Sequence, residues 1–156
     1  MKNILFVCTA NIARSPMAAA LFNHLMDQKG LADRYRAESA GTWGHDGLPA
    51  ALDGIRVMAE YGLDISQHQS RVITWEIMMA ADMILTMESG HAEALRFEFR
   101  KISHRVYQLT EMVGRPYDID DPFGQGISRF RVTAQELAEI LEGGCERIMR
   151  LADGGE

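Results

Sequence analysis

A cysteine and an arginine frame the segment Cys8-Thr9-Ala10-Asn11-Ile12-Ala13-Arg14-Ser15, which lies between a short apolar run and a stretch of helical spacing. A thiolate is a strong nucleophile, and a guanidinium is a planar fork that holds two oxygens of a phosphate together. A loop joining a strand to a helix N-terminus adds backbone N–H groups and the positive end of the helix, both suited to a phosphate dianion. The same positive field stabilises the thiolate of Cys8, so the nucleophile needs no dedicated base. The hydroxyl of Ser15 stands where it could donate to the sulfur. Most free cysteines are simply small buried hydrophobes. Two features favour chemistry here: the strand before and helix after the loop, and the lack of the glycine-lysine pair of a nucleotide-binding loop.

A second candidate is Asp118-Ile119-Asp120-Asp121-Pro122-Phe123. A carboxyl group from this segment could act as general acid, a role worth about 10²- to 10⁴-fold, with proline fixing the backbone direction just after it. Asp and Pro are also ordinary turn residues, and composition alone favours that plainer reading.

These groups matter only if the chain brings them together. Asn3 to Cys8 is a short continuous apolar run, the pattern of a strand buried on both faces of a parallel sheet, and is expected at its centre. Ser15-Pro16 opens a helix, proline being tolerated in the first turn, and Met17, Leu21, His24 and Leu25 continue it. Tyr35 to Ala40 reads as a second strand followed by a Gly-rich stretch with Trp43. Ala51 to Ala59 is a helix ending near Gly62, and Trp75 to Ala80 is a short one. Met83 to Thr86 is a third strand, Glu88 to Phe97 a helix and Val106 to Leu109 a fourth strand. Gly114 to Gly126, with two prolines and three glycines, is expected to be irregular and exposed. Leu137, Ile140, Leu141, Cys145, Ile148 and Met149 mark the apolar stripe of a last helix. The alternation predicts an α/β fold: an open parallel sheet of about four strands, helices on both faces, and the phosphate loop after the first strand. Ligands of such sheets bind beyond the carboxyl ends of the strands.

At 156 residues the chain is expected to form a single domain, 1–156, around one core. With 47% hydrophobic and 24% charged residues its composition is that of a globular protein, and a net charge of -6 argues against a nucleic-acid partner. No stretch is long enough to span a membrane, and the apolar start is too short for a signal-peptide core. Cys8 and Cys145 suggest no disulfide framework, and the expected compartment is the reducing cytoplasm. The five histidines show no metal-binding spacing, so neither metal nor other cofactor is expected.

Taken together these residues resemble the low-molecular-weight protein tyrosine phosphatase family, whose signature is a Cys-x5-Arg-Ser-Pro loop near the N-terminus and a late Asp-Pro-aromatic segment. Ser39-Ala40-Gly41-Thr42, Trp43, the Gly62 to Arg71 segment with His68, and Met87 extend the likeness over essentially the whole chain. The resemblance implies Cys8 as nucleophile, Arg14 as phosphate clamp and Asp121 as general acid, ahead of Asp118 and Asp120. It implies that Thr9, Ala10, Asn11, Ile12 and Ala13 surround the phosphate, with Asn11, Ser15, Ser39 and His68 holding the loop in shape. Trp43 and Phe123 match aromatic walls of the substrate cleft, while Trp75 reads as ordinary helix packing. Three positions depart from the pattern. Ala10 replaces a common glycine, which would restrict the loop if positive φ were needed; Ala13 replaces a second cysteine; Glu88 replaces an aspartate.

The implied substrate is a phosphotyrosine protein, with an unidentified tyrosine kinase as counterpart. Protein arginine phosphatases share this fold and loop, commonly with threonine at the position of Ile12. Arsenate reductases of the same fold need further thiols, for which Cys145 is a poor substitute. A noncatalytic phosphate-binding module would use Arg14 and the loop without needing Cys8 and Asp121 together.

Overall fold

The computed structural model describes residues 1–156. Its order is β1 (Lys2–Cys8), α1 (Arg14–Gln28), β2 (Tyr35–Gly41), α2 (Leu52–Glu60), α3 (Trp75–Ala80), β3 (Met83–Thr86), α4 (Ser89–Glu98), β4 (Val106–Gln108) and α5 (Ile127–Ala152). Two 3₁₀ turns, Arg100–Arg105 and Leu109–Met112, flank β4. The four strands form one parallel sheet in the order β2-β1-β3-β4.

β1 is interior because it is apolar on both faces. Ile4, Leu5, Phe6 and Val7 are each at most 1% exposed, and burying such side chains stabilises by roughly 1.5–3 kcal/mol apiece. Its alternation divides the core. Ile4, Phe6 and Cys8 pack with Met17, Phe22, Val57, Phe130 and Leu137 of α1, α2 and α5. Leu5 and Val7 pack on the opposite face with Met78, Ala92 and Leu95 of α3 and α4. The register pairs Phe6 with Ser39 and Leu85, and Cys8 with Gly41. Parallel strands bring all four carboxyl ends to one edge, and Cys8 is the last residue of β1 there.

Three expectations are adjusted. α1 begins at Arg14, so the arginine expected to clamp the phosphate is itself the first helical residue. α5 begins at Ile127, well before the apolar stripe read at Leu137. The segment 114–126 is irregular as expected, yet not exposed throughout: Ile119 is 1% exposed and joins the main core. An isoleucine between aspartates has no periodicity to announce burial, but this one turns inward and anchors the loop.

Candidate active site

The phosphate loop is shaped by bonds to its carbonyls. Cys8 and Thr9 O accept from Thr42 and Trp43 N (3.0 and 2.9 Å), and Ile12 O accepts from Ala51 N (2.8 Å). Asn11 O accepts from His68 Nε2 at 2.7 Å. The backbone N–H groups of Thr9 to Ala13 donate to no protein acceptor, which leaves a run of donors for an anion. Asn11 alone among non-glycine residues has positive φ, 60°, a conformation asparagine tolerates better than most. Ala10 does not need that conformation, so alanine in place of glycine leaves the loop unstrained. Gly41 is required by close approach: a Cβ there would lie 2.6 Å from Thr9 O.

Asn11 also reaches Cys8 through Ser15. Its Oδ1 accepts from Arg71 N (3.0 Å) and its Nδ2 donates to Ser15 Oγ (2.8 Å). Ser15 Oγ lies 2.9 Å from Cys8 Sγ. Having received one hydrogen bond, the hydroxyl has its own proton to direct at the sulfur. Ser39 supports the loop differently from the expected role: its hydroxyl makes no hydrogen bond, and its carbonyl accepts from Arg71 Nε at 2.9 Å. Arg71 Nη2 also donates to Glu38 (3.0 Å).

Arg14 is 2% exposed. Its Nη1 donates to Glu88 Oε2 (2.7 Å) and Ile119 O (2.6 Å). Its buried Nε has no protein partner, and its Nη2 is 3.9 Å from Asp121 Oδ2. One end of the fork is thus fixed while the Nε–Nη2 edge can take two phosphate oxygens. Glu88, which replaces an aspartate, is long enough to make this anchor.

A cleft of 140 Å³ is lined by Cys8, Thr9, Ala10, Ile12, Ala13 and Arg14, with Asp121 and Phe123 facing them. Asp121 Oδ1 accepts from Phe123 N (3.1 Å), and its carbonyl accepts from Gln125 (2.6 Å), leaving Oδ2 toward Arg14. Asp118 is occupied elsewhere: its Oδ1 accepts from Ser89 N at the start of α4 and from Gln108. Asp120 is 83% exposed and faces Arg129. Trp43 does not line this cleft; it lies beyond Thr9 and Ala10, 59% exposed. Trp75 stacks on Phe99 at 5.9 Å.

His91 escaped the sequence reading. Its Nε2 is 3.0 Å from Thr9 Oγ1 and 3.9 Å from Glu88 Oε2. An unprotonated Nε2 would turn a lone pair toward that carboxylate, so the favoured neutral tautomer donates from Nε2. Burial is the main force holding the His91 imidazole below its usual pKa; Arg14 acts in the same direction, and Glu88, Asp118 and Asp121 oppose it. His68 is lowered too, first by burial and then by Arg71, against the raising effect of its bond to Asn11. The one sequence signal for His91 was its three-residue spacing from Glu88, which puts both on one helix face.

Residues 3–151 match the low molecular weight phosphotyrosine protein phosphatase family. The chain belongs to that family. It is 35% identical over 140 residues to a protein-arginine-phosphatase of Bacillus subtilis strain 168, covering 89% of this chain and 91% of the relative. The crystal structure of a low molecular weight protein tyrosine phosphatase from T. tengcongensis superposes with a TM-score of 0.89 at 32% identity, covering 94% and 99% of the two chains. A cysteine-to-serine mutant of the YwlE arginine phosphatase, with a phosphorylated active-site serine, gives 0.88 at 32% identity, covering 94% and 95%. No helix of this family member is long and apolar enough to cross a membrane.

Proposed function

We propose that this chain is a cytoplasmic protein tyrosine phosphatase, a single catalytic domain over 1–156, that hydrolyses phosphotyrosine in proteins through a phosphocysteine intermediate. The observation that carries the reading is the convergence in one cleft of the Cys8 sulfur, in contact with Ser15 Oγ, the unpartnered Nε of Arg14 and the carboxylate of Asp121. Cys8 thiolate attacks phosphorus in line while Arg14 and the loop N–H groups stabilise the equatorial oxygens. The P–O bond to the substrate breaks, and Asp121 gives its proton to the departing phenolate. The same carboxylate, now ionised, takes a proton from water as its oxygen attacks the phosphocysteine. Phosphate leaves and the thiolate is restored. Two free cysteines, both buried, suit a reducing compartment.

Protein arginine phosphatase is the second reading, favoured by the Bacillus subtilis relative. Ile12 in the cleft argues against it, because a branched apolar side chain crowds a guanidinium and gives its nitrogens no acceptor. Matched phosphotyrosine, phosphoarginine and phosphoserine peptides at one pH test the choice. Phosphotyrosine is expected to have the highest kcat/KM, and Ile12→Thr to shift the balance toward phosphoarginine. A wild-type preference for phosphoarginine would overturn the tyrosine assignment, whereas acid-quenched turnover lacking phosphate on Cys8 would overturn the covalent mechanism.

A further inference from the structure

A second hollow, of 230 Å³, opens beside the phosphate cleft and is lined by Thr9, Ala10, Trp43, Gly44 and His45. Thr9 and Ala10 line both spaces, forming a ridge between them. The hollow is rigidly tied to the nucleophile, since Thr42 N and Trp43 N donate to the carbonyls of Cys8 and Thr9. Gly44 has φ 112°, and a Cβ on it would sit 3.6 Å from Ala10 Cα, so glycine keeps the space open. The Trp43 side chain is mostly uncovered. No Lys, Arg, Asp or Glu lines the hollow, and the one hydroxyl on its rim, Thr9 Oγ1, is engaged by His91.

We propose that this hollow is a subsite for an apolar side chain adjacent to the phosphorylated residue of a peptide substrate, an inference that rests on the phosphatase reading above. A peptide lowering its phosphorylated side chain to Cys8 lays its backbone over the Thr9–Ala10 ridge. The neighbouring side chain then meets Trp43. An apolar group there removes its own surface and the indole face from water. A carboxylate would lose hydration with no Lys or Arg on the lining to offset it, and glycine would leave the hollow uncovered. A free aryl phosphate ends at the cleft and does not reach it.

The test uses the full chain and phosphotyrosine peptides that differ only in the residue directly before or directly after the phosphotyrosine, set to Leu, Gly, Asp or Lys. Leu in one of the two places is expected to raise kcat/KM about 10-fold over Gly, the scale of one apolar pocket contact, with Asp at or below Gly. His45→Asp is expected to bring the Leu-to-Gly ratio close to one; a ratio taken within each variant cancels any general loss of activity. Equal values for Leu and Gly at both places in wild type would overturn the subsite while leaving the phosphatase reading intact. So would Lys exceeding Leu, which would indicate a cation over the indole, or a Leu preference undiminished in His45→Asp. If only phosphoarginine peptides turn over, the same substitutions read the subsite there and the tyrosine assignment alone falls. Turnover of no phosphopeptide would overturn both.

Discussion

The proton on Ser15 has one useful direction. Asn11 Nδ2 donates to Ser15 Oγ, and a thiolate at Cys8 has no proton to give, so against it the hydroxyl is the donor. A hydrogen bond to a charged group contributes about 1.5–3 kcal/mol, and Ser15→Ala is therefore expected to lower kcat/KM by about 10- to 100-fold and to slow alkylation of Cys8 at neutral pH. Values within twofold of wild type would show that the sulfur does not depend on this donor. Asp121→Asn should cost about 10²- to 10⁴-fold with phenyl phosphate and much less with 4-nitrophenyl phosphate, whose phenolate leaves without help. Asp120→Asn, out in solvent, should change little. Equal losses on the two esters, or a larger loss at Asp120, would move the acid elsewhere. Cys8, Arg14 and Asp121 were legible because each lies in a contiguous motif. The roles of Arg71 and His91 were not, because they reach the loop across 60 and 82 residues of sequence, and neither the segment ending at Arg71 nor the spacing of His91 from Glu88 says which loop atom each would meet.

Strands and helices were legible where one environment spans the whole element. β1 reads as continuous apolar residues because both its faces are covered, and α5 repeats its apolar stripe over several turns. The 3₁₀ turns around β4 are too short for any periodicity to register, and Ile119 is a lone anchor. The motif Ser39-Ala40-Gly41-Thr42 was recognisable without its reason; the end of β2 lies against the phosphate loop so closely that only hydrogen fits at position 41. Gly41 is outside the positive-φ region, so Gly41→Ala tests steric contact alone. Over-packing of this kind typically destabilises by about 1–3 kcal/mol, and here the strain is relieved by pushing Thr9 and the loop N–H groups away from the phosphate. A lower Tm together with at least a several-fold weaker inhibition by inorganic phosphate is expected. An unchanged phosphate inhibition constant would mean that the loop does not depend on this contact.

At the scale of the whole molecule, the buried His91 and the half-buried His68 link the shape of the site to the stability of the fold. His68 closes the loop through Asn11 O, and His91 stands among Glu88, Arg14, Asp118 and Asp121 while bonding Thr9. Both are held below the ordinary imidazole pKa of 6.5 chiefly by burial. In the unfolded chain they return to that value, so below pH 6.5 the unfolded state binds more protons than the folded one. Stability is therefore fully present above pH 6.5 and declines as pH falls through that value toward the folded pKa values. The carboxylates with lowered values, Glu60 and Asp64, start from 4.5 and 3.8, so they titrate below this window. Thermal melts at constant ionic strength from pH 7.5 to 5 should show Tm falling with acidity. His68→Gln can still donate to Asn11 O without titrating, and His91→Gln can do the same toward Thr9; the double variant should flatten the dependence even if its Tm at pH 7.5 is lower. A double variant whose Tm falls as steeply as wild type over the same range would show that the acid sensitivity resides in other groups.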